Sequence, residues 1–170
     1  AIKGIYQTKL INVTYKNLLI QNTGHTGLGC DHFQSGLIHN VRAINCGRII
    51  DLTAHNAPGK SGIGIGTGAF VRGNETLVIS DCHAVGCGQN GIFIERQADL
   101  SNTDFPYGTI VVGCTAEKNR IGFGCSGNTN LIFSACSSYG NHHANYAYSN
   151  GTMAISGSYG IRVKYIGCVS

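Results

Sequence analysis

A chain of 170 residues is long enough for one domain with a true core, and 42% apolar against 12% charged residues excludes a disordered composition. The net charge of +4 comes from Lys and Arg scattered between Lys3 and Lys164, with no basic stripe, so no nucleic-acid partner is expected. No apolar run approaches the ~18 residues of a membrane-spanning helix, and no membrane span is expected.

The chain opens on "AIKGIYQ", already strand-like and without an initiator Met, and closes on "YIGCVS". The expectation is a single domain over residues 1–170 that is a fragment of a longer chain. From residue 16 the sequence repeats. "KNLLIQNTGHTGLGCDH" (16–32) aligns without a gap on "SDCHAVGCGQNGIFIER" (80–96), placing Gly27 on Gly91, Leu28 on Ile92, Cys30 on Ile94 and Asp31 on Glu95. "HNVRAINCG" (39–47) fits the first part of the same unit. "VGCTAEKNRIGFGCSG" (112–127) fits with one deletion, "SACSSYGNHHANYAYSN" (134–150) fits with none, and "YIGCVS" (165–170) begins another copy. Equivalent positions fall at Leu18, Val41, Cys82, Cys114, Cys136 and Cys168, so the minimal unit is about 22 residues and longer intervals carry an insertion.

Each unit holds two short segments of period-2 alternation, such as "LVIS" (77–80) and "GIFIE" (91–95), separated by Gly, Asn and small polar residues. Helical periodicity is missing, and so is the frame of a leucine-rich repeat. The pattern predicts an all-β solenoid without significant helix, whose strands stack unit on unit with ladders of like residues inside.

Within the second unit, "GKSGIGIGTG" (59–68) contains the ending of a phosphate-binding loop and a loose dinucleotide pattern. Both motifs must open a helix to present backbone N–H groups to phosphate. Here the alternation continues with period 2, so a strand is predicted, with Ile63 and Ile65 inward and Gly62, Gly64 and Gly66 leaving the outer face bare.

The eight cysteines follow the repeat. Cys82, Cys114, Cys136 and Cys168 share one position; Cys46 and Cys87 share a second, continued by Asn119 and Asn141; Cys30 and Cys125 replace inward Ile at a third. There is no C-x-x-C pair and no zinc-finger spacing. Eight buried free thiols are expected, with folding in a reducing cytosol.

The recurring frame Ile/Val-x-Asn/Asp-Cys-x-Ala, then Asn/Cys-Gly, then Gly-Ile-x-Ile resembles the right-handed parallel β-helix repeats of pectate lyases, mannuronan epimerases and phage tailspikes and tail appendages. The resemblance covers roughly residues 10 to 170 and implies about six coils. It also implies a polysaccharide partner, a homotrimer, and a location in a virion tail or outside the cell.

Proteins of this resemblance act on polymers through a lateral groove, which directs attention to polar columns beside the inward strand. One column reads Asp31, Gly66, Glu95, Ser126, Ser149, and the next reads His32, Thr67, Arg96, Gly127, Asn150. Two acids flank a unit bearing only glycine; two layers apart sets their backbones ~9.5 Å apart. Inverting glycosidases hold their carboxylates ~6.5–9.5 Å apart. Asp31 and Glu95 are therefore the candidate acid and base. Insertions at 48–58 and 97–108 border the column and bring Asp51, His55 and Tyr107, which with His32 and Arg96 form the candidate substrate-binding set. "CDHFQ" (30–34) shares an Asp and a nearby His with the Asp-Pro-His-Glu motif of the epimerases but lacks its Pro and Glu. No metal site and no cofactor are expected; calcium is the one ion that the Asp and Asn loops would suit. Three functions stay open: a carbohydrate-active module that binds and cleaves a bacterial surface or cell-wall polymer, a non-catalytic structural or receptor-binding shaft, and a polyuronate lyase or epimerase.

Overall fold

Short alternating apolar segments punctuated by Asn, Asp and Gly favour strands that turn sharply at fixed intervals. The computed structural model describes residues 3–48, 60–66, 76–95, 108–126, 131–149 and 163–170 and shows that arrangement. In chain order the strands are β1 (Ile5–Gln21), β2 (Leu28–Ile44), β3 (Ile63–Ile65), β4 (Thr76–Ser80), β5 (His83–Val85), β6 (Asn90–Ile94) and β7 (Gly108–Val112). They continue as β8 (Thr115–Glu117), β9 (Ile121–Ser126), β10 (Leu131–Ser134), β11 (Ser137–Tyr139), β12 (Ala144–Ser149) and β13 (Val163–Ile166). The described residues contain no helix.

All registered strand pairs are parallel, and β2 shows how the sheet curls. Its start pairs with β3, its middle with β4 and its end with β5, so one continuous strand contributes to three faces. The first face continues through β3, β6, β9 and β12, the second through β4, β7, β10 and β13, and the third through β5, β8 and β11. This all-parallel, strongly curled arrangement is consistent with a parallel β-helix-like fold. No helix among the described residues is long and apolar enough to cross a membrane.

The corners have a local cause. Asn12 and Asn17 in β1 and Asn22 just after it have φ of 54°, 57° and 57°, and Ser35 and Asn40 in β2 and Asn45 just after it have φ of 44°, 51° and 52°. A left-handed residue every fifth position bends the strand, and Asn and Gly adopt that conformation with the least cost. The same corners recur in register at Asp81, Gly113, Ala135 and Gly167, and at Gly86, Lys118 and Gly140. Asn40 Nδ2 donates to Asn17 Oδ1 at 2.9 Å, tying one corner to the next.

The residue after each corner points into the core, which explains the cysteines. Val41, Cys82, Cys114 and Cys136 stack in one ladder and are at most 1% exposed. Each thiol donates back across its corner: Cys82 to the Ser80 carbonyl at 3.2 Å, Cys114 to Val112 at 3.4 Å, Cys136 to Ser134 at 3.4 Å. Cys is thus a small buried side chain that also offers a weak donor to the carbonyl left over by the turn. At the second ladder Cys46 and Cys87 do the same toward Ile44 and Val85, and Asn119 and Asn141 then take over with full hydrogen bonds. All eight cysteines are free thiols. Burial pushes Cys30 up to about 12 and Cys125 up to about 11. Hydrogen bonds from Cys87 and Cys114 hold Cys46 and Cys136 down, to about 6 and about 7. Cys168 is half-buried where the sequence predicts a buried thiol. Thiol titration is therefore expected to find eight reactive groups in denaturant and, in the native protein, a slow reaction limited by burial at the other seven, with Cys168 the most accessible. Rapid native alkylation of several thiols would contradict this packing.

The core changes character along the stack. On the first face the inward column runs Ile5, Leu28, Ile63, Ile92, Phe123, Tyr146; on the second it runs Tyr15, Ile38, Ile79, Val111, Phe133, Tyr165. Phe123 and Phe133 meet edge-to-face across the interior at 5.6 Å, and each stacks on the tyrosine of the next layer, at 5.3 and 5.2 Å. Tyr146 keeps its hydroxyl satisfied by donating to the Cys136 carbonyl at 3.0 Å.

A column of glycines, Gly4, Gly27, Gly62, Gly91 and Gly122, precedes the inward residues of the first face. A Cβ on Gly62 would lie 2.7 Å from the Gly91 carbonyl oxygen and 2.8 Å from Cys87 Sγ; one on Gly91 would lie 2.7 Å from Asn119 Nδ2. These glycines make room for the corner ladder. Gly62 therefore turns inward instead of leaving the outer face bare, because alternation breaks where the chain rounds a corner. Gly64 does face outward, and a Cβ there would meet nothing nearer than Thr26 Cγ2 at 3.4 Å. Gly62→Ala is expected to destabilise by roughly 1–3 kcal/mol through overpacking. Gly64→Ala is expected to be neutral or to stabilise by up to about 1 kcal/mol, because it only removes glycine's backbone freedom. Equilibrium denaturation of the two variants checks this contrast, which disappears if both glycines face outward.

Candidate functional site

The outer side of the first face carries the site. Leu28, Cys30 and Ile63, Ile65 and Ile92, Ile94 alternate inward, so the intervening residues must point out. The register sets one outward column as Tyr6, Gly29, Gly64, Phe93, Gly124. The next, two residues on, is Thr8, Asp31, Gly66, Glu95, Ser126. The column predicted from the sequence is therefore present, with Gly66 between the two acids.

Together these columns line a cleft of about 220 Å³ formed by Lys3, Tyr6, Thr26, Gly29, Asp31, Ser61, Gly64, Ile65, Gly66, Phe93 and Glu95. Its floor is bare only at Gly64. The Tyr6 ring leans over Gly29, where a Cβ would lie 2.9 Å from Tyr6 Cδ2, and Phe93 leans over Gly124, where a Cβ would lie 3.0 Å from Phe93 Cδ2. The two rings thus stand on either side of Gly64. Gly66 is not bare: the Asp31 carboxylate lies over it, in the space that a side chain would take.

Asp31 is held there by its neighbours. The Tyr6 hydroxyl donates to Asp31 Oδ2, and the Lys3 ammonium sits 3.3 Å from the centroid of the Tyr6 ring. The hydrogen bond to Asp31 is the main reason that the Tyr6 phenol is raised above its ordinary value. Because Asp31 leans across one layer toward Glu95, the ~9.5 Å backbone separation of two layers overstates the gap between the carboxyl groups. Two carboxylates facing one cleft from different layers can divide acid and base roles on a bond held between them.

The opposite wall is uncharged. Thr26 and Ser61 share a register position, are 4% and 2% exposed, and line the cleft beside Gly64. Ser61 Oγ lies 4.0 Å from the place of a Cβ on Gly64, over the floor of the cleft.

Of the candidate substrate-binding residues, His32 follows Asp31 on β2, and Asp51, His55, Arg96 and Tyr107 lie outside the described residues. So does most of the second column, namely Thr67, Arg96, Gly127 and Asn150. The described segments of this face end at Gly66, Glu95 and Ser126, in the acid column. His142 and His143 are exposed on a turn. Among the described residues no group of three or more His, Cys, Asp or Glu converges on a point where a metal ion could sit. Ile63–Ile65 form a strand, with no helix among the described residues after Lys60-Ser61 to receive a phosphate.

Sequence reasoning missed Lys3, Tyr6, Thr26 and Ser61. Tyr6 was within reach, because "IYQT" (5–8) aligns on "LGCD" (28–31) at the same interval of 23 that separates Leu18 from Val41. No protein-family model, no curated protein and no solved structure matches this chain.

Proposed function

We propose that the chain is a right-handed parallel β-helix of about six coils, acting as a carbohydrate-active module on a bacterial surface or cell-wall polysaccharide. The observation that carries this reading is the cleft lined by both Asp31 and Glu95, with the Asp31 carboxylate lying over Gly66 and the rings of Tyr6 and Phe93 in the lining. Asp31 and Glu95 serve as acid and base, and His32, Arg96, Asp51, His55 and Tyr107 complete the substrate contacts. The setting is a virion tail or the extracellular space, and eight free thiols support folding in a reducing cytosol beforehand. Incubation with capsular polysaccharide, lipopolysaccharide O-chains and peptidoglycan, followed by size-exclusion chromatography, tests it. Shortened polymer supports hydrolysis, and ultraviolet absorption by unsaturated products indicates a lyase. Absence of both breakdown and binding would overturn it.

A second reading, a trimeric structural or receptor-binding shaft, has its own support. The outward column of the second face runs Thr14, Leu37, Val78, Ile110, Ile132, Lys164, a half-buried apolar strip along four consecutive layers. Such a strip suits packing between copies. Sedimentation of the chain distinguishes a monomer from a trimer.

A further inference from the structure

We propose that Cys136 and Cys168 form a redox-active pair: a hydroperoxide oxidises Cys168, Cys136 closes a disulfide on it, and the bond fastens the last layer to the stack. This inference is independent of the carbohydrate reading and rests on the corner ladder alone.

Register brings the two thiols together. Ser134 pairs with Ile166 before the corner and Ser137 with Val169 after it, so Cys136 and Cys168 hold the same position in consecutive layers. The Val169 N–H donates to the Cys136 carbonyl at 2.9 Å, and the Ser138 N–H donates to the Val169 carbonyl at 3.0 Å. Adjacent strands lie ~4.8 Å apart, inside the ~4.4–6.8 Å between Cα atoms that a disulfide spans. The two sulfurs already share a hydrogen bond. The Tyr146 hydroxyl sits between the Cys136 and Val169 carbonyls, 3.0 and 3.1 Å from them, and so ties both layers together beside the pair.

Access and acidity divide the roles. Cys168 is half-buried and the other seven thiols are buried, so a small oxidant reaches Cys168 first. Cys168–SH and a hydroperoxide ROOH give Cys168–SOH and ROH: the O–O bond breaks and the sulfur gives up two electrons. The Cys136 thiolate then attacks that sulfur, the S–O bond breaks, and hydroxide leaves as water with the proton that Cys136 has lost. Cys136 suits this second step. The hydrogen bond from Cys114, above all, holds it at about 7, so a large share is thiolate at neutral pH. Cys114, on its far side, is pushed well up by the same contact and stays a donor.

Treatment of the folded chain with a small excess of hydrogen peroxide, followed by alkylation in denaturant and peptide mass mapping, tests this. The thiol count should fall from eight to six, with the peptides of Cys136 and Cys168 joined within one chain. The melting temperature should rise by about 5–10 °C, because the bond closes a loop across an interval of 32 residues, and should return with dithiothreitol. Cys136→Ser should stop the reaction at a Cys168 sulfenic acid, which dimedone traps. Cys168→Ser should keep all seven remaining thiols titratable; it alters a half-buried position, so it still reports where Cys136→Ser fails to fold. Loss of a thiol pair in Cys168→Ser, a Cys168 sulfenic acid that persists in the parent chain, or survival of all eight thiols would overturn the pair.

Discussion

Asn119→Ala is expected to lower stability by on the order of 4 kcal/mol. Asn119 is fully buried in the second corner ladder. Its Oδ1 accepts the Cys87 backbone N–H at 2.8 Å, and its Nδ2 donates to the Ala84 carbonyl and to Asn141 Oδ1, both at 3.1 Å. Truncation strips partners from two buried backbone groups at once, and each unsatisfied group costs about 1–3 kcal/mol. Asn119→Cys separates the contributions. Cys87, one layer below, donates its thiol to the Ala43 and Val85 carbonyls. A thiol at 119 can therefore recover a contact to a carbonyl, but it gives the Cys87 N–H only a weak acceptor. Roughly half the loss should return. Urea unfolding checks both variants: the midpoint should fall with little change in slope, since the surface exposed on unfolding is the same. A loss under about 1 kcal/mol for Asn119→Ala would show that the ladder does not carry the corner.

The ladders were legible in the sequence because a stacked layer repeats its inward positions, whatever happens between them. Cys82, Cys114, Cys136 and Cys168 could be aligned across intervals of 32, 22 and 32 residues since each follows a corner whose geometry is fixed. The column Asp31, Gly66, Glu95 followed from the same register. The lean of side chains between layers was not legible. Asp31 covers Gly66, Tyr6 covers Gly29 and Phe93 covers Gly124, so a glycine one layer along serves as the seat for its neighbour's side chain. Nor was the direction of Gly62, because Gly62 and Ile63 both face inward at a corner, where period-2 alternation fails. The first layer was hidden for a third reason. Gln7 stands where later layers have Cys30, Ile65 and Ile94, and its side chain is satisfied by the Tyr15 hydroxyl instead of by apolar contacts. A polar residue in an inward slot breaks the hydrophobic pattern, which left the interval of 23 residues as the signal for Tyr6.

On the proposed reading, Asp31→Asn and Glu95→Gln each lower turnover of the polymer by about 10²–10⁴-fold, the usual contribution of a positioned acid or base. Binding should change by only a few-fold, and folding should persist. An amide at position 31 keeps the shape over Gly66 and keeps an oxygen for the Tyr6 hydroxyl to donate to. What it loses is the ability to take or give a proton. The same holds for Gln at position 95. Tyr6→Phe probes how Asp31 is held: it removes the donor and leaves the ring over Gly29, so turnover should fall less than in Asp31→Asn. Turnover is followed by size-exclusion chromatography of the digested polymer and binding by calorimetry on the same variants, because the two readouts separate the roles. Loss of turnover with retained binding assigns the chemistry to the acid pair. Loss of both in equal measure assigns Asp31 and Glu95 to substrate contact. If both variants cleave like the parent, the cleft is not where the bond breaks. The shaft reading then leads, and the apolar strip of Leu37, Val78, Ile110 and Ile132 becomes the surface to mutate, with charged substitutions there expected to dissociate the assembly.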